Sequence, residues 1–322
     1  CFPEHLVTID GKLVTIFGGG GFVGRYVAEA LLSQGARLRI AQRNPQGALH
    51  IKPLGNLGQV QLVAADVRKP DSVERAVKNA DMVVNLVGSF DDMDAIQNVG
   101  AGNVAKAAKK AGCEAMVHMS AIGADAESAA RYGRSKAAGE VAVRKAFKGA
   151  TILRPSIIFG REDKFINRFA GLIRQLPIVP VIGPETKFQP VFVGDVAKMV
   201  AEILSDTTEH AGKIYELGGP QTLSMQELNK WIANAIGENS PFIAVPDFAV
   251  KALATCTGWL PGAPISLDQY RMLGSDNIVT GTDGLFAAGV SATPLAAVAH
   301  DWLDMYRKHG RFGDGDALHG RG

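Results

Sequence analysis

The chain has 322 residues, 47% of them hydrophobic and 20% charged, with a formal net charge of +2. That supplies the core of one large domain or two unequal ones, and the near-neutral balance argues against nucleic acid as a partner. Three cysteines and seven scattered histidines form no CxxC pair and no metal-ligand spacing, so neither a disulfide framework nor a metal site is expected, and the sparse thiols fit a reducing compartment.

Strands and helices alternate from the start. Apolar strands are expected at 13–17, 37–41, 60–65, 82–87, 115–119 and 150–153. Helices are expected at 22–34 (closed by Gly35), 70–79, 99–111 (stopped by Gly112) and 132–147. Six such strands interleaved with helices predict an α/β fold, a doubly wound parallel Rossmann sheet over residues 10–160. Beyond Pro155 the pattern loosens. An amphipathic helix is expected at 164–176 with Phe165, Phe169, Leu172 and Leu176 on one face. A helix at 195–204 and a strand at 213–217 are expected to rejoin the first domain within about 187–218. Ser224 and Glu227 form a capping box that opens a helix over 224–236. Residues 161–186 and 219–310 are assigned to a second, smaller, mostly helical domain, and the Gly- and charge-rich tail 311–322 to disorder. The apolar stretch 241–260 is interrupted by Asp247, Lys251 and prolines, so no membrane span is expected. No signal-peptide pattern is visible, and the opening on Cys1 leaves a trimmed targeting segment open.

Between the first strand and first helix lies Gly18-x-x-Gly21-x-x-Gly24. Gly18 permits a tight turn, Gly21 lets the backbone approach a pyrophosphate, and Gly24 lets helix and strand pack closely. The helix N-terminus then offers N–H groups and a positive dipole to phosphates. Gly20, Phe22 and Val23 share this turn and complete the candidate phosphate loop. The spacing, followed by Phe22-Val23-Gly24, resembles the extended and atypical branches of the short-chain dehydrogenase/reductase superfamily. NAD-binding Rossmann proteins usually end the second strand with an acid; here no acidic residue occurs between Gln34 and Ala65, whereas Arg43 follows the strand and Arg37 and Arg39 lie nearby. A guanidinium suits a 2′-phosphate that a carboxylate would repel, so NADP(H) is the expected cofactor, with Arg43 its clamp. Asp66-Val67 stands where the superfamily contacts adenine.

Tyr132 and Lys136 are spaced i, i+4 on one helix face, where an ammonium is expected to lower the phenol's pKa and fit it for acid–base work. Ser120 matches the first serine after strand five, but Ile122 stands where a substrate-polarising hydroxyl is expected. Tyr132, Lys136 and Ser120 are thus the catalytic candidates, each also placed to line the cofactor, and the Ile122 departure makes turnover uncertain.

Several further stretches carry a closer resemblance: residues 49–59, Asn85-Leu86-Val87-Gly88, 132–140, the run Arg154-Pro155-Ser156-Ile157-Ile158-Phe159-Gly160-Arg161-Glu162-Asp163-Lys164-Phe165, and 189–196. Over about residues 10–220 the chain resembles the NADPH-binding Rossmann accessory subunit of respiratory complex I and its bacterial relatives, fading beyond Pro220. The resemblance adds Leu86, Val87, Gly88 and Pro155 to the cofactor-binding candidates. It implies NADPH held mainly structurally, complex I subunits as partners, and a cytoplasmic protein peripheral on the inner face of the bacterial inner membrane, or on the matrix side in a mitochondrion. Lys164, Arg168 and Arg174, off the apolar face of the 164–176 helix, would dock either on a partner or on anionic headgroups. The alternatives are an active NADPH-dependent reductase or NAD(P)-dependent epimerase/dehydratase using Tyr132 and Lys136, and a redox-sensing regulator, which the Tyr-x-x-x-Lys spacing disfavours.

Overall fold

A computed structural model describes residues 9–257 and 265–308; Cys1 and the tail expected to be disordered lie outside the described residues. Seven strands form one sheet: β1 (Leu13–Phe17), β2 (Arg37–Gln42), β3 (Val60–Ala64), β4 (Met82–Asn85), β5 (Ala115–Met119), β6 (Thr151–Pro155) and β7 (Ile214–Leu217). Their spatial order is β7-β6-β5-β4-β1-β2-β3, and every pairing is parallel. The chain runs outward from β1 to β3, then crosses back to place β4 on the other side of β1. That reversal opens a crevice at the carboxyl ends of β1 and β4. Val14, Ile16, Ile40, Val84, Val117 and Ile152 are fully buried, as expected of strands covered on both faces.

The helices in this unit are α1 (Phe22–Ser33), α2 (Pro70–Val77), α3 (Ala101–Lys110), α4 (Arg131–Ala146) and, returning later in the chain, α6 (Val193–Ser205). Gly35 takes φ +87° just past α1, the left-handed turn for which glycine is suited. Three local differences from the sequence expectation have physical causes. The fourth strand stops at Asn85 because its side-chain Oδ1 accepts from the Val87 N–H at 3.2 Å and turns the chain. The next helix begins at Asp94, five residues early, as a π-helical turn over Asp94–Gly100 that continues into α3. A 3₁₀ stretch, Pro45–Leu54, follows β2; it opens with the Asn44 side chain accepting from the Gln46 N–H at 3.2 Å.

Two compact units emerge. The first comprises the chain through Ser156, Val193–Gly218 and Val279–Ser291; the second comprises Ile157–Phe192, Gly219–Ile278 and the chain from Ala292. Three boundaries differ from the expected ones, the first being that the Rossmann unit ends at Ser156 and not at 160. Residues 279–291 return to the Rossmann unit because Glu216 Oε2 accepts from the Thr280 N–H and hydroxyl at 2.8 and 2.9 Å, and Asp283 accepts from the Gly218 N–H at 3.0 Å. Residues 187–192 stay with the second unit because Val191–Phe192 pairs with Ile158–Phe159 and Lys187–Phe188 with Leu223–Ser224.

In the second unit, α5 (Ile166–Gln175) and α7 (Met225–Ile236) share a core that includes Phe159, Ile173, Leu228 and Ile232. The capping box at Ser224 and Glu227 is formed in both directions. The apolar face of α5 is rotated from the expected one: Ile166, Ala170 and Ile173 are buried, Phe165 and Phe169 flank them, and Leu172 is exposed. Arg174 is spent on the Met305 carbonyl at 3.3 Å.

Asp163 explains the Phe-Gly-Arg-Glu-Asp run. Its buried carboxylate accepts from the N–H groups of Gly160, Phe165 and Ile166 at 3.2, 2.8 and 2.6 Å, satisfying the start of α5. Asp163→Ala orphans those donors and should lower unfolding free energy by about 2 kcal/mol. Asp163→Asn keeps one acceptor oxygen and should cost less; equal melting temperatures for parent and Ala variant would contradict this role.

Candidate functional site

The glycine turn has the geometry its spacing demands. Gly18 has φ +77°; its N–H donates to the Ala41 carbonyl at 3.0 Å, and its carbonyl accepts from the Gly21 N–H at 3.0 Å. A Cβ on Gly24 would lie 2.5 Å from the Gly19 backbone, so only glycine lets α1 pack against the turn. A Cβ on Gly20 would strike Gln42 and come within 2.8 Å of Ala48. Gly21 differs: its only near neighbour would be the Gly18 carbonyl at 3.3 Å. The space beside Gly21 faces a groove of about 380 Å³ at the carboxyl ends of β1, β2 and β4. No side chain caps α1, so its first-turn N–H groups are left for a ligand.

Nine of the cofactor candidates line this groove: Gly18, Gly20, Gly21, Arg43, Asp66, Val67, Leu86, Val87 and Gly88. Phe22, Val23, Gly24, Ser120, Tyr132, Lys136 and Pro155 do not line it. Gly24 is a packing residue, Phe22 meets Tyr26 edge-on at 5.9 Å between ring centres, and the Pro155 carbonyl accepts from the Ile122 N–H at 3.0 Å. The three arginines near β2 separate cleanly. Arg37 donates to the Gly11 carbonyl, and Arg39 to Gln61 and the carbonyls of Ala76 and Lys78. Arg43 is exposed at the groove, with no ion pair among the described residues. Asp66 is held by Arg68 at 2.8 Å, whose hydrogen bonds and charge pull its carboxyl down to about 2.

Tyr132 and Lys136 lie on α4, with the Lys136 ammonium 5.8 Å from the Tyr132 ring centre. The expectation that the ammonium lowers the phenol's pKa is overturned. Phe90 stacks on the Tyr132 ring at 4.9 Å, and burial pushes the phenol up to about 12. Burial likewise brings Lys136 down to about 8, against the pull of Glu140. Desolvation thus outweighs the ion–phenol attraction. Lys136 Nζ donates to the Met119 carbonyl at 3.1 Å.

Ser120 is buried and committed. Its hydroxyl donates to Glu140 Oε1 at 2.5 Å. Glu140 is in turn gripped by Arg154, Nε to Oε1 at 2.8 Å and Nη2 to Oε2 at 2.6 Å. A carboxylate held in that fork accepts and does not donate, so the one hydroxyl hydrogen of Ser120 is spent. Ile122 is buried as well. Gln97 Oε1 is buried without a hydrogen-bond partner, and a Cβ on Gly88 would sit 3.4 Å from Lys136 Nζ and 3.9 Å from that oxygen. A glycine cradle between an orphaned acceptor and an ammonium fits a hydroxyl-bearing ligand, so the residues present suit a dinucleotide.

A family model described as the NmrA-like family matches residues 10–261. The chain belongs to the NmrA-like family. Among curated relatives, it is 34% identical to NADH dehydrogenase (ubiquinone) 1 alpha subcomplex subunit 9, mitochondrial, of Rattus norvegicus, over 94% of this chain and 81% of that one. It is 31% identical to the ceramide reductase of Caulobacter vibrioides over 59% of this chain and 60% of that one. Among solved structures, the Citrobacter sp. triphenylmethane reductase complexed with NADP(H) shares the fold, with a TM-score of 0.72 and 21% identity over 91% of this chain and 99% of that one. The similarity to the rat protein covers nearly the whole chain, so it extends past Pro220, where the sequence patterns fade.

In this NmrA-like protein, sequence reasoning missed Gln42, Arg68, Glu140 and Arg154. Gln42 was within reach: it ends β2, where an acid was sought, and its neutral amide accepts from the Gly20 N–H at 3.1 Å and donates to the Asn44 carbonyl at 2.6 Å. Glu140 and Arg154 carry no local signal, being brought together by β6 packing beside α4.

Gly24→Val forces side chain into backbone and should cost about 3 kcal/mol or more. Gly21→Val, at an extended position (φ −84°, ψ −178°) where the added Cβ meets only the Gly18 carbonyl at 3.3 Å, should cost less, about 1 kcal/mol. Thermal melts of the two variants distinguish these outcomes, and equal losses would show that the turn packs otherwise. In alkaline difference titration of the parent against Tyr132→Phe, tyrosinate absorbance from Tyr132 should stay flat through pH 10 and rise only around 12. A step at or below 10 would mean that Lys136 prevails over burial.

Proposed function

We propose that this protein is an accessory or assembly subunit of respiratory complex I, or of its bacterial counterpart, that holds NADP(H) mainly as a structural element. The observation that carries the structural role is the commitment of Ser120 to Glu140, with Ile122 beside it. A bound nicotinamide would supply hydride, but neither Ser120, whose hydrogen is committed to Glu140, nor Ile122 offers a second hydroxyl hydrogen beside Tyr132 to polarise a carbonyl. Loss of one preorganised donor to a developing oxyanion costs about 2.7–4 kcal/mol, or roughly 10²–10³ in rate. The partner assignment is supported by the relationship to a complex I subunit along 94% of the chain. The preference for NADP(H) is supported by the neutral Gln42 at the end of β2 and by Arg43 at the groove. In this reading Tyr132 and Lys136 hold the cofactor's sugar rather than turn it over. No helix among the described residues is long and apolar enough to cross a membrane, and peripheral placement on the inner or matrix side would come through the complex, aided by the exposed Lys164 and Arg168.

Native electrophoresis of mildly solubilised membranes tests the assignment: the chain should co-migrate with complex I, and migration solely as a free protein would overturn it. Purified protein with NADPH and a panel of aldehydes, ketones and quinones should show little or no nicotinamide oxidation. Robust turnover by the parent, abolished in Tyr132→Phe, would promote the reductase reading instead. Arg43→Ala should weaken NADPH binding by about 1.5–3 kcal/mol, the scale of a charge-assisted contact, and leave NADH nearly unchanged; equal parental affinities for both cofactors would sink the clamp.

A further inference from the structure

Gln97 lies on the π-helical turn ahead of α3, is 1% exposed, and belongs to none of the sequence motifs. Its amide orientation is fixed by its neighbours. Nε2 donates to the Ser89 carbonyl at 3.0 Å and to Ser135 Oγ at 3.1 Å. The Ser135 hydroxyl itself donates to the Tyr132 carbonyl at 2.8 Å. The Ser89 carbonyl can only accept, so the NH₂ must face it and Oε1 must face the other way. There Oε1 finds no donor. A buried acceptor left unsatisfied costs about 1–3 kcal/mol, so a native one calls for an explanation.

The missing donor has a place to sit. A point at the Cβ position of Gly88 is 3.9 Å from Gln97 Oε1 and 3.4 Å from Lys136 Nζ. Gly88 also lines the groove at the ends of β1 and β4. An oxygen entering from the groove beside Gly88 can accept from the ammonium and donate to the amide oxygen. A hydroxyl does both; a carbonyl or a phosphate oxygen cannot donate. We infer that Gln97 is a cofactor-binding residue whose Oε1 accepts a hydrogen bond from a ribose hydroxyl of the bound dinucleotide, the same hydroxyl that Lys136 Nζ contacts, with Gly88 kept side-chain-free to admit it. This inference rests on the dinucleotide reading of the groove and adds to it the group that reads the sugar. A trapped water has the same donor and acceptor chemistry, and the test separates the two.

The test compares calorimetric affinities for NADPH and for adenosine 2′,5′-bisphosphate, which carries no second ribose. Gly88→Ala leaves every bond of Gln97 intact. Its new methyl meets only ordinary contacts in the protein, and φ at residue 88 lies outside the left-handed region, so the fold should be kept while the hydroxyl's place is filled. Gly88→Ala should weaken NADPH about tenfold or more and leave the bisphosphate within about twofold. Gln97→Met, of similar length and without the acceptor, should shift the two ligands in the same way. Unchanged NADPH affinity in both variants, the outcome of a trapped water only, overturns the inference. Equal losses for both ligands in Gly88→Ala overturn it too, since the effect would not belong to the second sugar. If the parent binds neither ligand, the dinucleotide reading itself falls; parental binding with unaffected variants removes Gln97 alone.

Discussion

Helix α1 reaches the end of β1 only because Gly24 has no side chain. A Cβ there would lie 2.5 Å from the Gly19 backbone, a separation real Cβ atoms do not show. Much of the groove follows from that close approach. The turn is short enough to leave the first N–H groups of α1 unspent at the crevice. Gly18 adopts the positive φ that closes the turn, and Gln42 reaches across from β2 to hold the Gly20 N–H at 3.1 Å. The parallel order, with β4 crossing to the far side of β1, then supplies the other wall. Phosphate binding at such a place needs no dedicated cation in the turn, because helix dipole and backbone donors converge there.

The second constraint is a charge. Glu140 is 5% exposed, and a carboxylate at that depth is tolerated only when paired and hydrogen-bonded. Arg154 takes both oxygens and Ser120 adds a third donor. Removing Arg154 would strand the charge, and removing Ser120 would cost it one of three donors. This is why Ser120 is not free to serve as a catalytic donor: its hydrogen belongs to the solution of an electrostatic problem within the fold. The network continues toward the sheet edge, with Arg154 Nη1 at 4.0 Å from Glu216 and Glu216 holding Thr280. The segment 279–291 is thereby tied to the Rossmann unit, despite its late place in the chain.

The sequence made the sheet legible because buried parallel strands write themselves as short apolar runs, and the glycine spacing fixed where the ligand groove opens. Strand ends were less legible: Asn85 halts β4 through a side-chain bond that no periodicity reveals. Arg43 stood out by its place just past the second strand, and the backbone and side-chain partners of Arg37 and Arg39 set those two apart from it. The second unit was read well where local chemistry rules, as at the Ser224–Glu227 box, and misread on α5, where Phe165 and Phe169 looked like the centre of the buried face and turned out to flank Ile166, Ala170 and Ile173. Groups that meet across long sequence separations, such as Ser120, Glu140 and Arg154, left no pattern to read.

The Tyr132–Lys136 pair shows how magnitude decides a role that spacing alone leaves ambiguous. A cation within a few ångströms lowers an acid's pKa by roughly 1–3 units, while full burial can raise it by up to about 3–5. Here the ammonium sits 5.8 Å from the ring centre, and burial brings its own pKa down to about 8. Phe90 covers one face of the phenol. Burial therefore wins, and the phenol stays protonated across the neutral range with its pKa near 12. A phenol in that state donates a hydrogen bond steadily but is a poor base near pH 7. Combined with a serine whose hydrogen is already spent, the arrangement favours gripping a sugar over moving protons to and from a substrate, which supports the structural use of the cofactor proposed for this chain.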